Sequence, residues 1–480
     1  MIRRDFLKSC GLIATGVALS DPIAKAETAL NISGSGASLL DDEKSDIHIR
    51  LRSQRPHNDK PITVVIIGAG NRGRVYASYA KTYNDNIKVV GVSDIIESRC
   101  NRIADQHGVP QENRFGHYRE VFERPKMADA VIIATPDDRH YEPCIKALEL
   151  GYDVLLEKPV APTEKECSEI LKLSEKSGRI VAISHVLRYA PYFIALKAVV
   201  DRGDIGEIVS VQHQEPIEFA HMAHSYVRGN WRCEKDTTPI ILAKSCHDLD
   251  IIRWIVGKPC KSISAYGSLH LFKKENMPEG APARCTDGCP HQGTCPFSAI
   301  DIYVRDKRHL GVFDLKDRKD ENEIMEKLRT NWYGRCVYQC DNDVVDHQIV
   351  NLEYEGGATV SFTMCAFNEG GRRIHIMGTK GEVYATMKDK TITLYEFETG
   401  KKTDVPILDA ITNQEITGGH GGGDRGIMRA LTEFLGGTYK GNALTDISTS
   451  VANHLTVFAA EQARREGRVV TVEEYIESLK

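Results

Sequence analysis

The sequence is poor in cysteine, in long apolar runs and in net positive charge, and each of these excludes a class of protein. Only 13 of its 480 residues are cysteine, too few for a fold held together mainly by disulfides. After the first twenty residues, no apolar run approaches the roughly 20 residues that a membrane-spanning helix needs. The formal charge is −5, so nothing indicates the basic surface of a nucleic-acid-binding protein. The sequence also lacks internal repeats and low-complexity segments, and its length favours a globular protein of two domains.

The first 26 residues differ in character from the rest. The run Arg3-Arg4-Asp5-Phe6-Leu7-Lys8 precedes an apolar stretch over residues 11–19, and Ala24-Lys25-Ala26 offers small residues for a signal peptidase. This order predicts a twin-arginine signal and an exported, periplasmic or otherwise extracytoplasmic protein. That route moves folded proteins, so a tightly bound dinucleotide would be exported with its protein. Residues 27–60 are polar and without periodicity, which indicates a spacer.

The remaining sequence changes its pattern once. Over residues 61–182, short apolar strands alternate with helices, which predicts a parallel sheet covered on both faces. From 183 to 480, strands joined by tight glycine turns indicate a mostly antiparallel sheet, with a long cysteine-bearing insertion at 272–340 and helices over 425–465. The predicted fold class is α/β, with an N-terminal Rossmann doubly wound sheet and a C-terminal open, mostly antiparallel α/β domain.

A glycine-rich loop follows the first predicted strand and opens a helix. It reads Gly68-Ala69-Gly70-Asn71-Arg72-Gly73, and Asp94 ends the next strand. Such glycines permit a sharp turn and let backbone N–H groups approach a pyrophosphate, while the carboxylate binds the adenosine ribose. Because a carboxylate at that position repels a 2′-phosphate, NAD is the predicted cofactor. Arg99 and Arg102 nearby leave NADP as the alternative.

Two further segments complete a pattern. Ala134-Thr135-Pro136-Asp137-Asp138-Arg139-His140 follows the fourth predicted strand, and Glu157-Lys158-Pro159 follows the fifth. Together with the glycine loop and the sheet-rich second half, they resemble the glucose–fructose oxidoreductase, inositol dehydrogenase and MocA (Gfo/Idh/MocA) family from about Pro61 onward. The resemblance implies an active site between two domains, a sugar-like or cyclitol substrate and a homo-oligomer formed through the C-terminal sheet.

The resemblance also implies roles for individual residues. Glu157 would bind the nicotinamide ribose, and Lys158 would lie beside the nicotinamide and the reacting hydroxyl. A lysine at the carboxyl end of a sheet strand faces the crevice of the sheet, where it can accept the hydroxyl proton. The other residues expected to face cofactor or substrate are Thr135, Pro136, His140, His185 and Arg188.

In the second domain, His247 matches the active-site histidine of the family. We predict that it lies in one helix over residues 239–256. The family commonly has an aspartate four residues before this histidine, but here that position holds Ala243. Lys244 would lie one turn before His247 on the same helix face and is predicted to replace the missing group.

Two motifs allow more than one interpretation. The loop Gly418-Gly419-His420-Gly421-Gly422-Gly423-Asp424 suits close approach to a ligand, or a turn before the last helices. The cysteines of the insertion could bind zinc or an iron–sulfur cluster, or form one or two disulfides, and their spacing matches no common zinc finger or ferredoxin. These cysteines are Cys285, Cys289, Cys295, Cys336 and Cys340.

The leading hypothesis is an NAD-dependent oxidoreductase that acts on a hydroxyl of a sugar, glycoside or cyclitol. Lys158, His247 and Lys244 would be its catalytic residues, with no metal at the active site and with NAD tightly bound. The alternative is an NAD-dependent glycoside-cleaving enzyme, in which transient ring oxidation permits elimination. A third hypothesis, a non-catalytic binding module on a Rossmann scaffold, has Lys158 and His247 against it.

Overall fold

The computed structural model describes residues 59–408, 419–439 and 445–479. The predicted signal and nearly all of the predicted spacer therefore lie outside the described residues. Within these ranges, no helix combines the length and the hydropathy that crossing a bilayer requires.

The first domain is built on a six-stranded sheet in which every neighbouring pair is parallel. Its order is β3-β2-β1-β4-β5-β6, so the strand order reverses between β1 and β4 and opens a crevice there. The strands are β1 (Ile62–Ile67), β2 (Ile87–Ser93), β3 (Arg114–Phe115), β4 (Ala130–Ile133), β5 (Asp153–Leu156) and β6 (Val181–Ile183). The helices between them are α1 (Asn71–Thr82), α2 (Glu97–His107), α3 (Tyr118–Phe122), α4 (Tyr141–Glu149) and α5 (Glu164–Ser177).

The sheet of the first domain is covered on both faces. Val65 and Ile67 of β1 belong to one hydrophobic core, whereas Val64 and Ile66 belong to another. Alternate residues of a strand point to opposite faces, so continuous apolar runs such as β4 are needed here. The predicted Rossmann sheet is confirmed.

The second domain contains a nine-stranded sheet of order β14-β13-β12-β11-β7-β10-β9-β8-β15. Among its described strands the neighbouring pairs are antiparallel, except for the parallel pair β7 and β10. The strands are β7 (Ile208–Pro216), β8 (Cys260–Ser268), β9 (His347–Tyr354), β10 (Thr359–Cys365), β11 (Arg373–Gly378), β12 (Gly381–Thr386), β13 (Thr391–Glu396), β14 (Lys402–Asp404) and β15 (Val470–Thr471). The predicted open, mostly antiparallel sheet is confirmed.

Further helices follow β6, and the longest of those described contacts β6 of one sheet and β8 of the other. They are α6 (Pro191–Asp201), α7 (Phe219–Met222), α8 (Ile240–Ala243), α9 (Cys246–Val256), α10 (Glu321–Thr330), α11 (Gly423–Leu435), α12 (Ile447–Glu466) and α13 (Val472–Ser478). Helix α11 contributes Ile427, Met428 and Leu431 to the core that also contains Ile66 and Tyr76 of the first domain. The first sheet ends with Ile183 of β6, so a boundary directly after this residue separates the two sheets but not their cores.

His454 on α12 connects that helix to the segment after β5. Its Nε2 accepts the N–H of Val160 at 2.9 Å, and its Nδ1–H donates to the Ser450 carbonyl at 2.7 Å. Burial lowers the pKa of His454 to about 3, so the ring stays neutral and Nε2 keeps its lone pair. Burial also lowers the pKa of other histidines near the two domains' contact, namely His185, His221, His224, His247 and His309.

We expect acid to destabilise this fold through its buried histidines. In the unfolded chain the histidine side chains gain a proton near pH 6.5, whereas the fold keeps the His454 ring neutral to much lower pH. Their contribution is therefore complete above pH 6.5 and is lost as the pH falls toward 3, by about 1.4 kcal/mol per pH unit for one such histidine. His454→Gln should reduce the slope of unfolding free energy against pH, measured by urea unfolding. The exposed-site variant His270→Gln should leave that slope unchanged, and equal slopes in both variants would contradict the role given to His454.

Candidate active site between the two domains

The glycine loop has the geometry of a pyrophosphate cradle. Gly68 has a φ of +92°, and a Cβ at this position would lie 2.6 Å from the Ala134 carbonyl oxygen. A Cβ on Gly73 would lie 2.0 Å from the Gly68 oxygen, so the start of α1 and the end of β1 require glycine at both positions. At Gly70 a Cβ would meet nothing within 4 Å, and this leaves the backbone at the start of α1, beside Asn71, open to a ligand. The loop therefore fits a bound dinucleotide.

Asp94 is fixed against this loop by two backbone donors. Its Oδ2 accepts the N–H of Ala69 at 2.6 Å, and its Oδ1 accepts the N–H of Ile96 at 2.8 Å. Each carboxylate oxygen has a further lone pair that a ribose hydroxyl can use. The contact of Asp94 with an adenosine ribose stays a prediction.

Arg99 and Arg102, the two arginines that make NADP the alternative cofactor, share a carboxylate partner. Asp314, from the insertion of the second domain, accepts from Arg99 at 2.6 Å and lies 3.4 Å from Arg102. The same insertion brings Gly311 against the nucleotide loop, since a Cβ there would lie 2.7 Å from the side-chain oxygen of Asn71. Asp314 offsets part of this positive charge, to which Arg74 and Arg318 also contribute, so Arg99 and Arg102 favour a 2′-phosphate less than they would without it.

Glu157 lies under the glycine loop in a network of ion pairs. Arg72 donates from Nε to Glu157 at 2.5 Å and pairs through Nη2 with Asp424 at 2.9 Å. Tyr76 donates its hydroxyl to the same Glu157 oxygen. Burial opposes the charge of Glu157, but Arg72 and Tyr76 outweigh it and hold the pKa of this carboxyl below its usual value. Asp424 also accepts from His420 at 2.9 Å, so the second glycine-rich loop reaches the nucleotide end of the site.

His140 joins the two segments that carry the family resemblance. Its Nδ1 lies 2.7 Å from the Pro159 carbonyl, and its Nε2 lies 3.0 Å from the Thr135 carbonyl. Both ring nitrogens thus face backbone oxygens, so His140 positions the loops that start at Thr135 and Lys158. Pro136 precedes a short 3₁₀ turn and closes the same loop.

Lys158 extends from the end of β5 to the second domain. Its Nζ donates to the carbonyl oxygen of Ala243, which a continuous helix would use to accept the N–H of His247. The helix predicted over 239–256 is instead two helices, α8 and α9, with Lys244 at the break. The prediction of one helix is wrong, but the position that lacks the family's aspartate still contacts Lys158 through its backbone.

His247 and His185 have buried ring nitrogens that no described residue satisfies. The centroids of the two rings lie 5.7 Å apart. In the described part of the chain, both ring nitrogens of His185 and Nδ1 of His247 lack hydrogen-bond partners. Burial and then the charge of Lys158 lower the pKa of His247 well below its usual value, so its ring is neutral at pH 7. Buried unsatisfied nitrogens are costly, which points to a molecule that binds beside them.

Lys244 does not lie on a common helix face with His247. It lies 3.5 Å from Glu215 of β7, and Arg372 pairs with Glu215 at 2.5 Å and with Asp248 at 2.7 Å. Burial lowers the pKa of Lys244, which Glu215 partly counters. Because the chain breaks its helix at this residue, Lys244 faces the strand rather than the histidine. The same-face placement was therefore wrong, although the charge of Lys158 still acts on Lys244.

Arg188 forms a bidentate ion pair with a carboxylate of the second domain. Its Nε and Nη2 both donate to Asp250 at 2.7 Å, and both side chains are buried. The Asp250 carboxylate is thereby held charged, because Arg188 outweighs the burial that would raise its pKa. This bidentate ion pair joins the crossing after β6 to α9, and a direct contact of Arg188 with cofactor stays a prediction.

Several side chains at the site were not predicted from the sequence. Asp137 is buried, accepts from Trp231 Nε1 at 2.9 Å and lies near Lys158; burial raises the pKa of its carboxyl. Its place inside the segment before His140 could have marked it. No local signal marks the groups brought in by distant elements, which are Tyr76, Trp231, Glu215, Arg372 and His454.

Comparison with known proteins agrees with this geometry. Residues 62–185 match the family model described as "Oxidoreductase family, NAD-binding Rossmann fold", and residues 197–472 match "Oxidoreductase family, C-terminal alpha/beta domain". The chain belongs to the Gfo/Idh/MocA oxidoreductase family. It is 27% identical to a Bacillus subtilis protein named "Putative oxidoreductase YteT" over 65% of this chain and 73% of that protein. It is 25% identical to inositol 2-dehydrogenase of Salmonella typhimurium over 42% of this chain and 56% of that enzyme.

Solved structures share the same fold. An Agrobacterium radiobacter oxidoreductase in complex with NAD⁺, L-tartaric acid and magnesium aligns over 86% of this chain and 99% of its own, with a TM-score of 0.62 and 17% identity. The WlbA dehydrogenase of Chromobacterium violaceum, in complex with NADH and UDP-GlcNAcA, aligns over 87% and 98%, with a TM-score of 0.59 and 17% identity. The chain therefore has the two-domain fold of these oxidoreductases.

The contacts of Asp94 and Asp314 predict how cofactor choice will change. Asp94→Ala should weaken NAD binding by about 5- to 150-fold, because it removes the ribose acceptor, worth about 1–3 kcal/mol. Asp314→Ala should improve NADP binding relative to NAD by about tenfold or more, because Arg99 and Arg102 become available to a 2′-phosphate. Fluorescence titration with NAD and with NADP measures the two dissociation constants, whose ratio gives the preference. Asp306→Ala, an exposed carboxylate of the same insertion, is the control. A wild-type preference for NADP would refute the reading of Asp94.

Proposed function

We propose that the chain is an NAD-dependent dehydrogenase that oxidises a ring hydroxyl of a sugar, glycoside or cyclitol. The observation that carries this proposal is the meeting of Lys158 from the first domain with His247 and the Ala243 carbonyl from the second. Relatives named inositol 2-dehydrogenase and scyllo-inositol 2-dehydrogenase (NAD(+)) support the substrate class. Bound NAD would accept the hydride from the carbon that carries the hydroxyl.

The residues at the junction have the properties that proton removal needs. Lys158 is aimed by the Ala243 carbonyl and accepts the hydroxyl proton during oxidation. His247 is neutral because of its burial, so one ring nitrogen can donate to the substrate oxygen while the other accepts. Asp137 lies near Lys158, whose charge partly counters the burial that raises the pKa of the Asp137 carboxyl. In the opposite direction, Lys158 returns the proton.

Lys244, Glu215 and Arg372 form the opposite wall of the proposed substrate site. They are mostly buried and carry both donors and acceptors, which suits recognition of several ring hydroxyls. Arg372 pairs with Asp248 as well as with Glu215. Lys244 pairs with Glu215 at the longer distance of 3.5 Å, so its N–H groups are the better placed to donate to a substrate hydroxyl. We assign this wall to substrate orientation.

Three further expectations stay predictions. Export by the twin-arginine route rests on residues outside the described ranges. Tight retention of NAD is favoured by the insertion, which places Asp314 and Gly311 on the nucleotide end of the first domain. A homo-oligomer through the C-terminal sheet is favoured by its exposed apolar residues, among which Tyr266 and Ile349 are cross-strand neighbours.

Lys158→Ala tests the proposed chemistry. The variant should still bind NAD but lose about 10²- to 10⁴-fold in turnover, the usual contribution of a general base. Formation of NADH over a panel of sugars, glycosides and cyclitols measures the loss, with the exposed Lys165→Ala as control. His247→Ala should lower turnover and substrate affinity together. Full turnover in Lys158→Ala would contradict the dehydrogenase mechanism and favour the elimination-based glycosidase.

Lys244→Ala tests the opposite wall of the site. Loss of a charged donor to the substrate should raise KM or lower turnover at least about tenfold. Because burial lowers the pKa of Lys244, its removal should also shift the alkaline limb of the pH–rate profile. Glu215→Gln removes the partner of Lys244 and should move the same limb toward lower pH, since the carboxylate supports the charged form. Unchanged kinetics in both variants would leave Lys244 a structural residue.

A further inference from the structure

The insertion between β8 and β9 gathers cysteines around one cavity. Cys285, Cys289, Cys295 and Cys336 line it together with Arg228. The cavity has a volume of about 20 Å³, which holds one particle of the size of a water molecule. It lies outside the oxidoreductase site, whose chemistry uses none of these residues.

Backbone hydrogen bonds bring the four cysteines to this cavity. Cys285 donates its N–H to Gly334, and Cys336 donates its N–H to Ala283, both at 2.9 Å, so that two distant segments lie side by side. On the other wall, the N–H of Cys295 donates to His291 at 2.9 Å, which closes the turn that starts at Cys289. The placement is thus built into the local fold of the insertion.

Arg228 shows what kind of group the cavity needs. Its side chain is fully buried, and it donates to the backbone carbonyls of Arg335 and Phe297 at 2.7 Å. Its Nη1 has no partner, and within the described residues it forms no ion pair with a carboxylate. Its Nη2 lies 3.7 Å from the sulfur of Cys285. A buried cation without an anion costs several kcal/mol, and thiolates are the anions at hand.

We infer that the cavity binds one divalent metal ion of the zinc class through Cys285, Cys289, Cys295 and Cys336. On binding, the four thiols lose their protons to solvent, and four thiolates around one Zn²⁺ carry a net charge of −2 that Arg228 partly offsets. Four sulfur ligands in a tetrahedral set suit zinc among the common divalent ions.

The charge of Arg228 also separates this inference from the disulfide alternative. Disulfides are neutral, so pairing these cysteines would leave the buried guanidinium without a counter-charge. In the described ranges, no group of three or more histidine, cysteine, aspartate or glutamate side chains is placed so that it could hold a metal ion. The proposed site therefore forms only as the cysteine segments close on the ion, the coupling of binding to folding that structural zinc sites show.

Metal analysis of the full chain tests the site. Protein purified under reducing conditions without chelator should contain about one zinc per chain by mass spectrometry of the metal. Cobalt(II) exchanged into the protein should give the thiolate-to-cobalt absorption of a tetrahedral sulfur site. Cys289→Ser and Cys336→Ser should lose most of the metal, whereas Cys365→Ser, in β10 and outside the cavity, should retain it.

Two outcomes would overturn the assignment. Metal-free wild-type protein whose cysteines all react with an alkylating agent would show free thiols. A fall of two or four in the number of alkylated cysteines without reductant would show disulfides. If the serine variants do not fold, the zinc content and cobalt spectrum of the wild-type chain still decide. None of these measurements depends on dehydrogenase activity.

Discussion

The guanidinium of Arg72 joins three segments that are far apart in the sequence. It lies in the nucleotide loop, and it binds Glu157 at the end of β5 and Asp424 in the second glycine-rich loop. Removing one member of such a network leaves charges in a poorly hydrated place, which is more costly than the pair itself is stabilising. The relative positions of the pyrophosphate loop, the Glu157-Lys158-Pro159 segment and helix α11 therefore depend on this one side chain.

The sequence predicted features whose causes are local. Apolar runs such as Ala130–Ile133 indicate buried parallel strands, and the glycines at 68 and 73 are required by contacts between neighbouring segments. The sequence did not predict the break between α8 and α9, where a lysine from another domain donates to the Ala243 carbonyl, because no residue near the break announces that distant contact. Nor could it predict that α11 completes the core of the first domain, since its apolar face is equally suited to either core.

The insertion shows how a segment of one domain changes the electrostatics of another. Arg99 and Arg102 on α2 look like a phosphate site when read with their neighbours alone. Asp314 comes from more than two hundred positions later in the chain and offsets part of their charge. The proposed choice of NAD therefore draws on residues of both domains, and the cysteine-lined cavity lies within the same insertion as Asp314.

The acceptor for Lys158 is a main-chain oxygen, and this has an evolutionary consequence. A side-chain carboxylate at position 243 can be lost by a single substitution, whereas every residue that occupies the position supplies a carbonyl. The geometry of the lysine is thus inherited with the backbone of the α8–α9 break and not with the identity of residue 243. A change of side chain at position 243 therefore leaves the acceptor of Lys158 in place, within the limits of the buried core in which Ala243 lies.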